Sequence, residues 1–400
     1  MRTIELLKNT VQNYDWGSQT AIPELLGEPN PSHEPRAELW MGAHPKASSF
    51  VNYDGQWLPL TELIARHPRE ILGDDVALKF DNKLPYLFKV LAAAKPLSIQ
   101  AHPSQNQAKE GFARETDQRI DLDASNRNYK DDSHKPECIC ALSPFWAMYG
   151  FRNFPDILAM FGKNCPVGLA AELDLLKKHP DPQGLKRFFT DLMTMDSQRQ
   201  KRVIDEAVRN AHRDSKEDSA FHWMTRLSNE YPSDIGILTP LLLNLIELRP
   251  GEALFLPAGE LHAYLEGLGM ELMANSDNVL RGGLTPKHID VPELLNVLNF
   301  KPRPVNILKA VKKNKNERVY ASEADEFVLS VVTVSAGSPY QSPKSRSVEI
   351  ILCVEGTAYL KDIGTREIIN FKKGNSALIP AAVIGYSITG DALIYKAAVP

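Results

Sequence analysis

Two stretches of this chain, LRPGEALFLPAGELHAYLEG (248–267) and FKKGNSALIPAAVIGYSITG (371–390), align without a gap. Gly251 falls over Gly374, Pro257 over Pro380, Ala258 over Ala381 and Gly267 over Gly390. Those identities alone carry little. The shared order carries more: a turn glycine, an apolar strand, a Pro-Ala turn and a second strand predict one supersecondary unit used twice. A chain built this way is confined to two related β barrels. In this register His262 falls over Gly385, so only the first barrel keeps the histidine.

The rest of the chain reads around that repeat. Residues 1–151 carry short apolar runs (PYLFKVL, LSIQAH, ECICAL) between Gly, Pro and aromatic punctuation, which predicts antiparallel strands with long connections. Residues 152–238 change character. Apolar residues there recur at helical spacing, as in Val203, Ile204, Ala207 and Val208, and Pro and Gly separate the segments. Strand signals return over 239–316, broken by HIDVPELLNVLNF, a predicted helix with Asp290 as N-cap. Residues 317–400 are β again. The expected fold is mainly β with a helical insertion: a barrel split between 1–151 and 239–316, a helical domain at 152–238, and a C-terminal, metal-free barrel at 317–400.

Charge narrows the partners. A net charge of −4 on 400 residues gives no field for nucleic acid or an anionic membrane as the main partner. The N-terminus meets Asn9 and Gln12 before any long apolar run, unlike a signal peptide. The run IGILTPLLLNLIEL is too short and too interrupted to span a bilayer. Cys138 and Cys140 are too close for an easy disulfide in a strand, so reduced thiols and a cytoplasmic location are expected.

Several polar residues interrupt apolar strands. Lys89 sits within PYLFKVL, where it must snorkel to solvent or meet an anion. Gln100 and His102 lie two apart in LSIQAH and so share a face. Such a pair is more often a hydrogen-bonded core pair than a metal site. Glu137 opens the strand ECICAL just after His134 and Lys135, and His262 enters a strand after the turn LPAGE. If Gln100, His102, Glu137 and His262 converge, they can coordinate a divalent ion with a single anionic ligand, leaving a strong Lewis acid. In ANSDNVLRGGLTPK (274–287), Asp277, Arg281 and Lys287 surround paired glycines, a pattern that suits an oxyanion or a plain surface turn.

The blocks YDWGS, AELWMGAHP, PYLFKVLAAAKPLSIQAHP, HKPE, LPAGELHAYLEG and SDNVLRGGLTPK, in this order over residues 1–300, resemble the type I mannose-6-phosphate isomerase (phosphomannose isomerase) family of the cupin superfamily, in its bacterial branch. The resemblance implies a zinc enzyme, one ion per subunit, that interconverts mannose 6-phosphate and fructose 6-phosphate. It also implies a catalytic cupin jelly roll, a helical insertion and a second cupin-like barrel. The family's zinc ligands carry over onto Gln100, His102, Glu137 and His262, and its active-site arginine onto Arg281. The tail after residue 310 matches only loosely.

Such chemistry needs a base for the C1/C2 proton and cations for the growing enediolate charge. Lys135, Asp277 and His134 are the expected proton-handling residues beside Arg281, with Glu271, Lys89 and a metal-bound water open as further candidates for the base. Lys89, Lys135, Arg281 and Lys287 are expected to meet the substrate and its phosphate. The expected partner is a small sugar phosphate, with the chain a monomer. A metal cupin dioxygenase and a non-catalytic sugar-phosphate-binding cupin are the competing readings.

Overall fold

Strand His262–Ala274 lies antiparallel between Tyr86–Ala93 and Glu137–Ala141, and every residue of those two neighbours is buried. Both faces of this sheet therefore have to be covered, which explains its near-continuous apolar sequence. One face lines a barrel interior: Ile139 and Ala141 pack with Leu254, Leu256, Phe145 and Tyr264. The alternate residues Cys138 and Cys140 pack outward against Ile350, Leu352 and Leu378 of the C-terminal sheet. Each aliphatic side chain fully buried in this way contributes about 1.5–3 kcal/mol.

The protein is represented by a computed structural model that describes residues 1–400, the side chain of Asp214 excepted. A 12-stranded and an 11-stranded sheet form the two jelly-roll barrels. Strand Glu5–Lys8 pairs with Ser376–Ile379, so the N-terminus joins the sheet of the C-terminal strands. The predicted helical insertion appears as Phe154–Lys163, Ala170–Lys178, Pro182–Met193, Ser197–Asp214 and Ser219–Glu230. Asn153, Asp181, Asp196 and Asp218 cap four of these by accepting from backbone N–H groups. Asp290 caps Val291–Val297 as expected. Helices Ala21–Leu26, Leu60–Arg66, Pro68–Leu72, Asp74–Lys79 and Gln105–Asp117 are additions to the reading of 1–151 as strands with long connections, and Gln105–Asp117 is the longest. Its signal was the capping box of Ser104 and Gln107. The cysteines are free, with Cys138 and Cys140 buried on the same face. Among the described residues, no helix is long and apolar enough to cross a membrane.

The ladders correct the gapless alignment of the repeat. Leu256 opposite Glu137 and Ile379 opposite Glu349 keep its register. Residues 257–261 then lead into strand His262–Ala274, whereas the longer segment 380–385 leads into Tyr386–Ala398. Further along, Glu271 stands opposite Ile139 and Lys396 opposite Ile351, so the last strand has slid relative to the alignment. The partner of Gln100 is His262, and the corresponding edge of the second barrel pairs Tyr340 with Ile388, not with Gly385.

Candidate active site

Two backbone carbonyls fix the histidines. His102 Nδ1 lies 2.8 Å from the Asn278 oxygen, and His262 Nδ1 lies 2.9 Å from the Glu260 oxygen. A carbonyl oxygen only accepts, so each Nδ1 carries a proton and each Nε2 is left with a lone pair. Both lone pairs face one carboxylate. His102 Nε2 is 3.1 Å from Glu137 Oε1, and His262 Nε2 is 3.6 Å from Glu137 Oε2. One ligand atom from each of the three buried side chains falls within 4.8 Å of the others. His102 Nε2 has no hydrogen-bond partner. Burial and the Lys135 charge push the His102 imidazole down to about 4, so protonation does not relieve this lone-pair confrontation near neutral pH. A cation at the centre does.

Gln100 stands opposite His262 on one neighbouring strand and Arg281 on the other. Its amide nitrogen donates to Ser98 Oγ at 3.2 Å, which leaves the amide oxygen to offer. Two imidazoles, a carboxylate and an amide oxygen form a donor set that fits zinc.

Cations and donors surround Glu137. Lys135 Nζ lies 3.0 Å from Oε1, and the Tyr264 hydroxyl donates to Oε2 at 3.2 Å. Burial raises the Glu137 carboxyl, but the Lys135 charge helps outweigh it, and the group is held well below the usual range. Lys89 does not snorkel out. Its ammonium lies 2.9 Å from Glu271 and 3.7 Å from Glu38, whose carboxylate also accepts from Trp40 Nε1 at 2.6 Å. Burial lowers Lys89, yet Glu271 and Glu38 more than compensate and keep it above the ordinary lysine value. A lysine held this way is a poor base and is already committed to two carboxylates.

Asp277 is gripped by Lys46 at 2.9 Å and His44 at 3.5 Å. Burial raises its carboxyl, and hydrogen bonds from His44 and Lys46 pull it far below the ordinary value, so it stays ionised. His134 turns elsewhere: its Nε2 meets Glu326 Oε1 at 2.6 Å. Arg281 is half-buried, and burial alone lowers its guanidinium, with no nearby carboxylate to offset it. Lys287 is lowered by burial and then by the Arg281 charge. Two neighbouring cations without a counter-charge make an anion site. A cleft of about 1120 Å³ between the barrels, lined by Leu268, Tyr320 and Tyr395, holds none of these groups, so donor chemistry and not cavity size marks the site.

A family profile described as the phosphomannose isomerase type I catalytic domain matches residues 4–154, and one for the type I helical insertion domain matches residues 169–243. The chain is 42% identical over 381 residues to the mannose-6-phosphate isomerase of Salmonella typhimurium, covering 94% of this chain and 95% of that protein. The chain belongs to the type I phosphomannose isomerase family. Mannose-6-phosphate isomerase 1 of Arabidopsis thaliana is 31% identical, over 100% of this chain and 94% of that protein. A solved zinc-bound mannose 6-phosphate isomerase matches with a TM-score of 0.91 and 38% identity over 99% of each chain. A variant of the Salmonella typhimurium phosphomannose isomerase gives 0.93 at 38% identity, again over 99% of each chain.

In this type I phosphomannose isomerase family member, sequence reading passed over Glu38, Trp40, His44, Lys46 and Tyr264. Tyr264 had a usable signal: it lies two residues beyond His262 on one strand and so on the same face. Tyr264→Phe is expected to weaken metal affinity by roughly 10-fold, because Glu137 loses a donor that orients it. Competition with a chelator of known affinity measures this, and an unchanged affinity would remove Tyr264 from the site's support.

Proposed function

We propose that this chain is a zinc-dependent isomerase that interconverts D-mannose 6-phosphate and D-fructose 6-phosphate through a cis-enediol. One observation carries the reading: two Nδ1-protonated imidazoles aim free Nε2 lone pairs at Glu137, beside the uncompensated cations of Arg281 and Lys287. A cation site next to an anion site suits a sugar phosphate.

Gln100, His102, Glu137 and His262 hold the ion. When bound, zinc polarises the sugar carbonyl and stabilises negative charge on O1 and O2. The chain's own groups do the rest. Arg281 places its guanidinium fork against that charge, and Arg281 with Lys287 receives the phosphate. Lys135, 3.0 Å from Glu137, is the group that would take the proton from C2 and return it to C1. Asp277, kept ionised by His44 and Lys46, accepts a hydrogen bond from a ring hydroxyl and so helps the opening. His134 would have to leave Glu326 to supply a proton to the ring oxygen. Lys89 shapes the pocket through Glu271 and Glu38; to meet phosphate it would have to leave both.

The catalytic barrel is assigned to 1–151 and 239–316, save that strands Glu5–Lys8, Phe50–Tyr53 and Gln56–Pro59 extend the sheet of the second barrel at 317–400; the helical insertion is 152–238. The net charge of −4 supports neither nucleic acid nor membrane as partner, the free cysteines support a cytoplasmic location, and the chain is proposed to act as a monomer. A coupled assay is expected to show reversible formation of fructose 6-phosphate from mannose 6-phosphate, with no oxygen uptake. Binding without turnover, or oxygen consumption, would overturn the reading.

A further inference from the structure

The second barrel repeats the charge pattern of the first with one charge reversed and one lost. In the first barrel Glu137 pairs with Leu256, and Glu271 pairs with Ile139 and Lys89; Lys89 also pairs with Trp40, and Glu38 with Leu91. In the second, Glu349 pairs with Ile379, and Lys396 pairs with Ile351 and Ser330; Ser330 also pairs with Val319, and Glu317 with Val332. The ladders therefore superpose Glu137 on Glu349, Glu38 on Glu317, Lys89 on Ser330 and Glu271 on Lys396. Packing agrees, since Ile351 and Ile379 line the second interior as Ile139 and Leu256 line the first. Both carboxylates survive. The imidazoles do not, since the chain has no histidine after His288; the edge strand there pairs Tyr340 with Ile388 and Gln341 with Ser387.

Carboxylates sealed inside a barrel need compensating charge. Lys396 Nζ reaches both, at 2.8 Å from Glu317 Oε1 and 3.1 Å from Glu349 Oε1. It also donates to the Tyr340 hydroxyl at 3.1 Å. That hydroxyl donates to Glu317 Oε2 at 3.2 Å, and the Tyr386 hydroxyl donates to Glu349 Oε2 at 2.9 Å. From the periphery, Arg346 stands 3.9 Å from Glu349 and Lys313 stands 3.7 Å from Glu317. Lys396, Glu317 and Glu349 are at most 2% exposed. Burial lowers the Lys396 ammonium, but Glu349, Tyr340 and Glu317 outweigh it and hold the charge in place.

We infer that Lys396 is the resident cation of the second barrel: its ammonium does for Glu317 and Glu349 what Lys89 and a bound ion do for Glu38 and Glu137, so this barrel closes without metal. The contacts of Lys396 stand whether or not the first barrel is an isomerase site. Full-length Lys396→Met, compared with Lys396→Met/Glu317→Gln/Glu349→Gln by thermal unfolding between pH 5 and pH 8, tests it. The single variant should lose on the order of 10 °C in Tm at pH 8. Without the ammonium, the two buried carboxyls acquire raised folded-state pKa values. Their penalty then grows as pH rises from the unfolded value of about 4 through the folded one, so the loss should shrink toward pH 5. The triple variant, with no buried charge left over, should recover most of the loss at pH 8. A Tm loss that is absent, or equal at both pH values and unrelieved in the triple variant, would reduce Lys396 to a packing residue and overturn the inference.

Discussion

His262→Ala is expected to leave a folded protein with almost no bound zinc and a turnover reduced by roughly 10³-fold or more. His262 is held by the Glu260 carbonyl so that Nε2 faces Glu137, and His102 faces the same carboxylate from the other side. Removing one imidazole leaves a single neutral nitrogen, one carboxylate and the amide of Gln100, too few donors to hold a borderline ion firmly. Several kcal/mol of stabilisation for the charge on O1 and O2 then disappears, and each 1.36 kcal/mol is a factor of ten in rate. Packing loss is a smaller matter at a strand end that keeps its ladder to Gln100 and Tyr149. Elemental analysis, circular dichroism and the coupled assay are measured on the same sample, beside the wild-type enzyme stripped with a chelator and reloaded with zinc. Full turnover in either metal-free protein would remove the ion from the chemistry.

The proposed ligand set stood out in the sequence because its residues break local rules. Gln100 and His102 share a face of an apolar strand, and Glu137 and His262 stand at strand mouths where a lone polar group needs a reason. What pairs with what across strands was not legible, since partners such as Lys89 and Glu271 are separated by 182 positions. The carbonyls of Asn278 and Glu260 set the histidine tautomers, and a backbone atom has no sequence signature. His134 illustrates the same limit. Its place next to Lys135 and Glu137 suggested a shared pocket, yet its ring meets Glu326, far along the chain. The internal repeat was visible in its turn and first strand. It went wrong past the longer second turn, because a local alignment cannot see a ladder slip.

Arg281→Ala is expected to keep zinc at wild-type occupancy and lose roughly 10²–10³-fold in kcat/KM. Arg281 lies directly across the strand from the ligand Gln100, but it offers no lone pair, so the metal does not depend on it. Its value is electrostatic. Burial already lowers its guanidinium and the neighbouring ammonium of Lys287, a cost the free enzyme bears without any carboxylate in return. An incoming anion relieves that cost, and the relief is larger where negative charge is concentrated. The division between kcat and KM then separates the two anions on offer. If Arg281 meets chiefly the enediolate oxygens, kcat falls while KM hardly moves. If it meets chiefly the phosphate, KM rises, and Lys287→Ala reproduces the effect in weaker form. Arg281→Lys keeps the charge but loses the fork, so it should recover only part of the rate. A variant that loses zinc along with activity would make Arg281 a support of the metal site and remove it from the reaction.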